Sequence, residues 1–174
     1  MESGGHRDVA ITDYVTDPAP DAVLRFIADW VTGNAGTARD HVADHAGGDG
    51  TTLVARLDGQ VVGLVTVRWT SRNPAFADRG IPLVHQLAVA PEFRRLGVAT
   101  ALMTSAEQLA AARGRSRVGI TVGLFDEYGP AQRLYAKRGY VPDGRGACRG
   151  LVPLRQGEAV EVDHDLILWL TKDL

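Results

Sequence analysis

The stretch from Leu83 to Leu124 constrains the fold of this chain more than any other. Leu83 to Val89 is a β-rich run that stops at Pro91. Val98, Leu102, Leu109 and Ala110, with Ala106 between, then recur at helical spacing and predict a helix from about Leu96 to Ala112. Arg113-Gly114 suits its end, because a basic residue complements the helix dipole and glycine takes the left-handed closing position. Val118 to Leu124 reads as the next strand. A strand–helix–strand unit of this length implies a right-handed crossover and a parallel pair. Just upstream, Leu53–Leu57 and Val61–Val67 flank Asp58-Gly59, a dipeptide that accepts two positive φ values and so predicts a tight antiparallel hairpin. The fold class is therefore α/β, with a mixed sheet and helices on both faces.

The remaining elements are fainter. Val9, Ile11, Tyr14 and Val15 allow a first strand behind a loose polar leader, residues 1–8. After Pro18 and Pro20, the residues Val23, Leu24, Ile27, Trp30 and Val31 predict an amphipathic helix closed by Gly33-Asn34-Ala35-Gly36. A short helix is expected over Thr37 to Ala46, and a loop from Ser71 to Gly80. Pro130 opens a helix carrying Ala131, Leu134, Tyr135 and Arg138 and stopped by Gly139. The segment from Asp143 to Asp165 reads as a loop or insertion with a short strand near Cys148 to Val152, and Leu166 to Leu170 as a last strand. The whole chain, 1–174, reads as a single domain.

Composition narrows the class. Apolar residues at 45% and charged residues at 23% exclude a disordered or disulfide-dense chain. With 19 Lys+Arg against 21 Asp+Glu, no basic excess points to nucleic acid. One cysteine fits a reducing compartment. A polar amino terminus and the lack of a long apolar run predict a cytoplasmic protein with no membrane partner.

Three places could carry chemistry. Arg94-Arg95-Leu96-Gly97-Val98-Ala99 links a strand end to a helix start, where unpaired N–H groups and two arginines suit phosphate oxygens. An ordinary turn with solvated arginines is the competing reading. Tyr135 could donate its phenolic proton to a leaving group or simply pack in the core. His85 shares a strand face with Leu83, Leu87 and Val89 by alternation, and could be a general base or a half-buried structural histidine. Weaker sets are His41 and His45 at a zinc-compatible spacing, Cys148 with His164 and Asp165, and the basic trio Arg113, Arg115 and Arg117. No metal is expected.

Together these pieces resemble the GNAT superfamily of acyl-coenzyme A-dependent N-acyltransferases. Leu87-Ala-Val-Ala-Pro-Glu-Phe-Arg-Arg-Leu-Gly-Val-Ala99 is similar to the family's signature strand, loop and helix, with Arg94, Gly97 and Ala99 at the Arg/Gln-x-x-Gly-x-Gly/Ala positions. Leu134-Tyr-Ala-Lys-Arg-Gly-Tyr140 is similar to its second signature. The resemblance implies a mostly antiparallel mixed sheet of six to seven strands and acetyl-CoA as co-substrate. It places the pyrophosphate on Arg94, Arg95, Leu96, Gly97, Val98, Ala99 and Thr100, and the pantetheine beside Leu87, Ala88 and Val89, with the Val89 N–H at the oxyanion. Tyr128 and Ala131 join the cofactor-binding set, Tyr128 standing where many relatives have an asparagine. Tyr135 would protonate the departing thiolate. His85 falls where some relatives carry a base, and Gly123 where others place a glutamate.

The implied reaction is direct attack of a primary amine, expected to belong to a small molecule. Trp30, Asn34, Asp40, His41 and Asp44, the 71–80 loop, the 143–165 segment, Asp126 and Glu127 are candidate acceptor contacts. Acetylation of protein amino termini or lysines, a non-catalytic acyl-CoA sensor, and a homodimer are left open.

Overall fold

A computed structural model describes residues 9–44 and 48–174. The leader and His45 lie outside the described residues. The chain divides into two compact units, residues up to Arg68 with Gln86–Leu109, and Trp69–His85 with Ala110–Leu174.

The first unit holds β1 (Ala10–Asp13), α1 (Pro20–Ile27), α2 (Ala35–Asp44), β2 (Gly50–Leu57) and β3 (Gln60–Arg68). It also holds the second half of β4 (Leu83–Val89), and all but the last turn of α4 (Val98–Ala112). β1 pairs β2 and β2 pairs β3, both antiparallel. The Asp58-Gly59 turn has φ of 49° and 81°, the two left-handed residues that the dipeptide forecasts. Pro20 starts α1, and Val23, Phe26 and Ile27 bury one face. The apolar spacing predicts that this helix continues through Val31. Instead it widens into a π turn over Ala28–Thr32, where the Thr32 hydroxyl donates to the Ile27 carbonyl and Gly33 closes at φ 76°. Val23, Phe26, Ile27, Ala38, Val42, Val54 and Leu64 form the core, with Ala88 and Phe93 packed against it.

A bidentate ion pair anchors this unit. Arg56 donates from Nη2 to Asp17 Oδ1 at 2.6 Å and from Nε to Oδ2 at 3.1 Å. Its Nη1 also reaches the Gly59 carbonyl at 2.6 Å, tying the hairpin turn to the pair.

The second unit holds α3 (Pro74–Ala77), the first half of β4, β5 (Arg117–Gly123), α5 (Gly129–Lys137), β6 (Val141–Arg149), β7 (Val152–Pro153) and β8 (Leu166–Asp173). β4 pairs β5 in parallel through Leu83↔Gly119 and Val84↔Ile120, as the crossover requires. β5 pairs β8, β8 pairs β6 and β6 pairs β7, all antiparallel. The described residues thus carry eight strands, against the six to seven expected. The extra strand is β7: the one short strand expected near Cys148 to Val152 is two, the end of β6 and then β7, paired with each other. β6 is also longer than expected, a nine-residue strand from Val141. Gly144 and Gly146 take φ of 96° and 75° where the register slips between Pro142 and Ala147, so a glycine-rich bulge hides a strand. Phe76, Ile81, Leu83, Cys148 and Trp169 form the core. Phe76 lies over Gly119, whose added Cβ would fall 2.1 Å from its ring, and meets Trp169 edge-on at 5.3 Å.

Burial alone would push the Asp17 carboxyl up. Hydrogen bonds from Arg56, the Ala19 N–H and Thr12, with the Arg56 charge, outweigh it and hold the pKa below 3.8. Stability from this pair is therefore full above that value and is lost as pH falls through the folded-state pKa. Asp17→Ala strands a buried guanidinium and should cost about 3–5 kcal/mol in urea unfolding at neutral pH. The gap to wild type should narrow on acidification below pH 4.

Candidate functional site

The first unit builds the loop before α4. Arg94 is extended at φ −68° and ψ 154°, and its Nε donates to the Val89 carbonyl at 3.2 Å. Arg95 and Gly97 are both left-handed, at φ 63° and 82°. A non-glycine residue held there costs about 1–2 kcal/mol, so Arg95 marks a turn held by its surroundings. The helix opens with Ala101 N–H bonding the Gly97 carbonyl at 2.9 Å, leaving the N–H groups of Gly97 to Thr100 ahead of the first intrahelical bond. An added Cβ at Gly97 would meet no protein atom within 4 Å. The loop is thus open-faced, cationic and rich in N–H donors, which fits a pyrophosphate.

Gly63 of β3 seats this apparatus. A Cβ there would fall 2.8 Å from the Ala88 carbonyl oxygen and 3.2 Å from side-chain atoms of Leu102 and Val98. Strand β4 and the first turns of α4 therefore close on a position that admits only hydrogen. The sequence reading passes over Gly63, although a glycine within a strand pattern signals close backbone approach. It also expects strict alternation along β4, with Leu83, His85, Leu87 and Val89 on one face. Gln86 overturns this, because its φ of 52° breaks the extended run between His85 and Leu87. No residue-type signal at Gln86 announces the break.

The second unit holds the candidate acid. Tyr135 of α5 is buried, with its ring 5.8 Å from that of Tyr140. Burial first, and then the phenol of Tyr128, push its pKa up to about 12. Tyr128 packs against the backbone of Gly123, where an added Cβ would fall 2.4 Å from the ring. Its hydroxyl lies 3.4 Å from His164 Nδ1, and Phe125 meets both rings edge-on. Gln132 Nε2 donates to the Gly123 carbonyl at 2.7 Å, fixing α5 to the end of β5.

The other candidates separate. His85 is half-buried in the first half of β4. His41 is buried, with Nε2 3.4 Å from the Thr66 hydroxyl. Cys148 donates to Gly146 O, and His164 Nδ1 meets the Tyr128 hydroxyl. The basic trio is used locally: Arg113 stacks on Trp69 at 4.1 Å, Arg115 donates to Gly80 O and Arg117 to Asp173. Of the acceptor candidates, Asn34 lines an open groove with Leu24, Arg25, Asp29 and Arg39, and Trp30 is about half exposed. Asp126 accepts the Glu127 N–H at 3.0 Å. Among the described residues, no helix is long and apolar enough to cross a membrane.

A family model described as the acetyltransferase (GNAT) family matches residues 11–140. The chain belongs to this family of acyltransferases. A relative from Archaeoglobus fulgidus, described as an uncharacterized N-acetyltransferase, is 34% identical over 88 residues, 49% of this chain. The match spans 56% of that relative's length. A solved GNAT-family chain from Desulfovibrio desulfuricans shares the fold, with a TM-score of 0.70, 17% identity, and 95% of this chain and 99% of that one covered. The structure of nourseothricin acetyltransferase is 28% identical with a TM-score of 0.53, covering 72% of this chain and 66% of that one.

Gly63→Ala should destabilise the protein by about 1–3 kcal/mol, since the nearest obstacle is a backbone oxygen that cannot swing aside. Chemical denaturation measures it. An unchanged midpoint would show that the strand and helix are not held at this contact.

Proposed function

We propose that this chain is an acetyl-CoA-dependent N-acetyltransferase that acylates a primary amine of a small molecule by direct attack on the thioester. The observation that carries the reading is the loop from Arg94 to Gly97, with two left-handed residues and two arginines at the start of α4. Membership of the GNAT family supports the chemistry, and the likeness to nourseothricin acetyltransferase supports a small-molecule acceptor.

In this reading the N–H groups from Arg94 to Thr100 and the two guanidinium groups hold the pyrophosphate. Leu87, Ala88 and Val89 line the pantetheine, and the Val89 N–H faces the carbonyl oxygen that gains charge. Tyr128 and Ala131 complete the cofactor-binding set. Acetyl-CoA supplies an activated acetyl group and a thiolate leaving group. His85 accepts the proton that the attacking amine must lose, since an alkylammonium has a pKa of about 10.4. Tyr135 donates from its phenolic oxygen. With its pKa raised to about 12, it stays protonated at neutral pH. It also holds that proton about a thousandfold more tightly than a thiol with a pKa of about 8.5. Its contribution is therefore a hydrogen bond to the departing sulfur, with complete transfer completed by solvent.

Acetyl-CoA incubated with kanamycin, spermidine, phenethylamine and a peptide bearing a free amino terminus tests the reading through thiol release. Turnover of a small amine above peptide is the expected result; no release with any acceptor refutes it. Tyr135→Phe, which removes only the donor, should lower turnover about ten- to a thousandfold while acetyl-CoA affinity in calorimetry stays within a few-fold. His85→Gln should abolish the rise of kcat/KM with pH that is common to all acceptors, and leave the acceptor-dependent rise in place. A full common rise in that variant removes His85 as the base.

A further inference from the structure

The groove between α1 and α2 is open to solvent and contains none of the residues assigned above to acetyl-CoA or to proton transfer. Its volume is about 630 Å³, within the range of small-molecule sites. Asp21, Leu24 and Arg25 of α1 and Ala28 and Asp29 of the π turn line it, and Arg39 joins them from α2. Two carboxylates and two guanidinium groups thus face one concavity, on residues that are all exposed. Asp21 and Arg25 stand four residues apart in the order that favours an intrahelical pair. Yet among the described residues none of these four side chains has an ion-pair or hydrogen-bond partner. A π turn gives up the regular helical bonding step, is rare, and occurs frequently at functional sites. This one forms part of the groove wall, and Gly33 and Asn34, which follow it, line the groove as well.

We propose that this groove binds a zwitterionic dipeptide, its ammonium held by Asp21 and Asp29 and its carboxylate by Arg25 and Arg39. Charge selects the class. A dication would meet two guanidinium groups and a dianion two carboxylates, whereas a ligand with one charge of each sign engages both kinds of wall. Spacing selects the length. Asp21 and Arg25 lie about 6 Å apart in helix rise. Two extended residues span about 7 Å, while a free amino acid carries both charges on one carbon. Leu24 and Ala28, half-buried against the core, offer an apolar floor to a side chain. Exposed charges on a flat surface gain little by pairing, but a concave site with an apolar floor concentrates their field on what enters it.

Alanyl-leucine is titrated by calorimetry without acetyl-CoA, beside its carboxyl amide, its N-acetyl form and free leucine. The dipeptide should bind and shift the amide resonances of Gly33 and Asn34, and each of the other three should bind about tenfold more weakly. Two paired variants assign the ends. Asp21→Asn with Asp29→Asn should bind the dipeptide and its N-acetyl form alike, within about twofold, and still discriminate against the amide. Arg25→Gln with Arg39→Gln should bind the dipeptide and its amide alike and still discriminate against the N-acetyl form. All four substitutions are at exposed positions, so melting temperatures should stay within about 2 °C of wild type.

No binding of alanyl-leucine overturns the proposal. So does binding that both paired variants leave unchanged, which puts the ligand elsewhere, or free leucine binding as tightly as the dipeptide. The readout needs no turnover, so a failure here leaves the acetyltransferase reading standing. An amine screen without thiol release would overturn that reading and leave this one intact.

Discussion

Only a hydrogen atom fits between β3 and the Ala88 carbonyl at Gly63, and that tight closure sets the geometry of the first unit. Val98 and Leu102 of α4 reach the same point, so the start of the helix and the end of β4 are fixed by one contact. The chain between them, Ala90 to Gly97, must then reverse in a short span. It does so with a 3₁₀ turn at Pro91–Phe93 and two left-handed residues. Arg95 tolerates its conformation because both ends of the loop are held, with Arg94 bonded back to Val89 O and Ala90 N–H bonded to Val62 O. A loop held at both ends in this way has little ordering left to do on meeting a ligand.

The legible parts of the fold were those written in turn chemistry and long periodicity. Asp58-Gly59 fixed the hairpin, and Leu83 to Leu124 fixed the parallel crossover. What escaped was conformation that no side-chain pattern encodes. The π turn after Ile27 preserves apolar spacing while changing the hydrogen-bond step. The bulge in β6 places glycines where a strand reading expects branched residues. In the candidate site, the loop Arg94–Gly97 was readable as a turn into a helix start, because glycine ahead of a helical run has a physical meaning in sequence. Gln86 was not, since glutamine carries no preference for a left-handed residue in a strand. Gly63 was readable in principle, but its significance lies in Ala88 and Leu102, far along the chain.

The second unit shows the same division between local and distant causes. Tyr135 lies on an ordinary amphipathic helix, and nothing in its neighbours predicts a phenol with a pKa near 12. That value comes from burial and from Tyr128, which is itself seated by the missing side chain of Gly123. Glycine at one strand end and tyrosine seven residues before Tyr135 are thus a matched pair. Bulk lost at position 123 reappears at position 128.

The lone thiol has a consequence for how an acetyl group can travel. A thioester exchanges readily with any accessible thiolate, so an exposed cysteine would offer a covalent detour with the protein itself as carrier. Cys148 is fully buried, its thiol pushed up by burial, with Arg145 opposing and Asp143 adding to the shift. The sulfur is bonded inward, to the Gly146 carbonyl. In the folded state the chain's one sulfur nucleophile is closed to transthioesterification. A carrier role for the protein's own sulfur would require the fold around Cys148 to open.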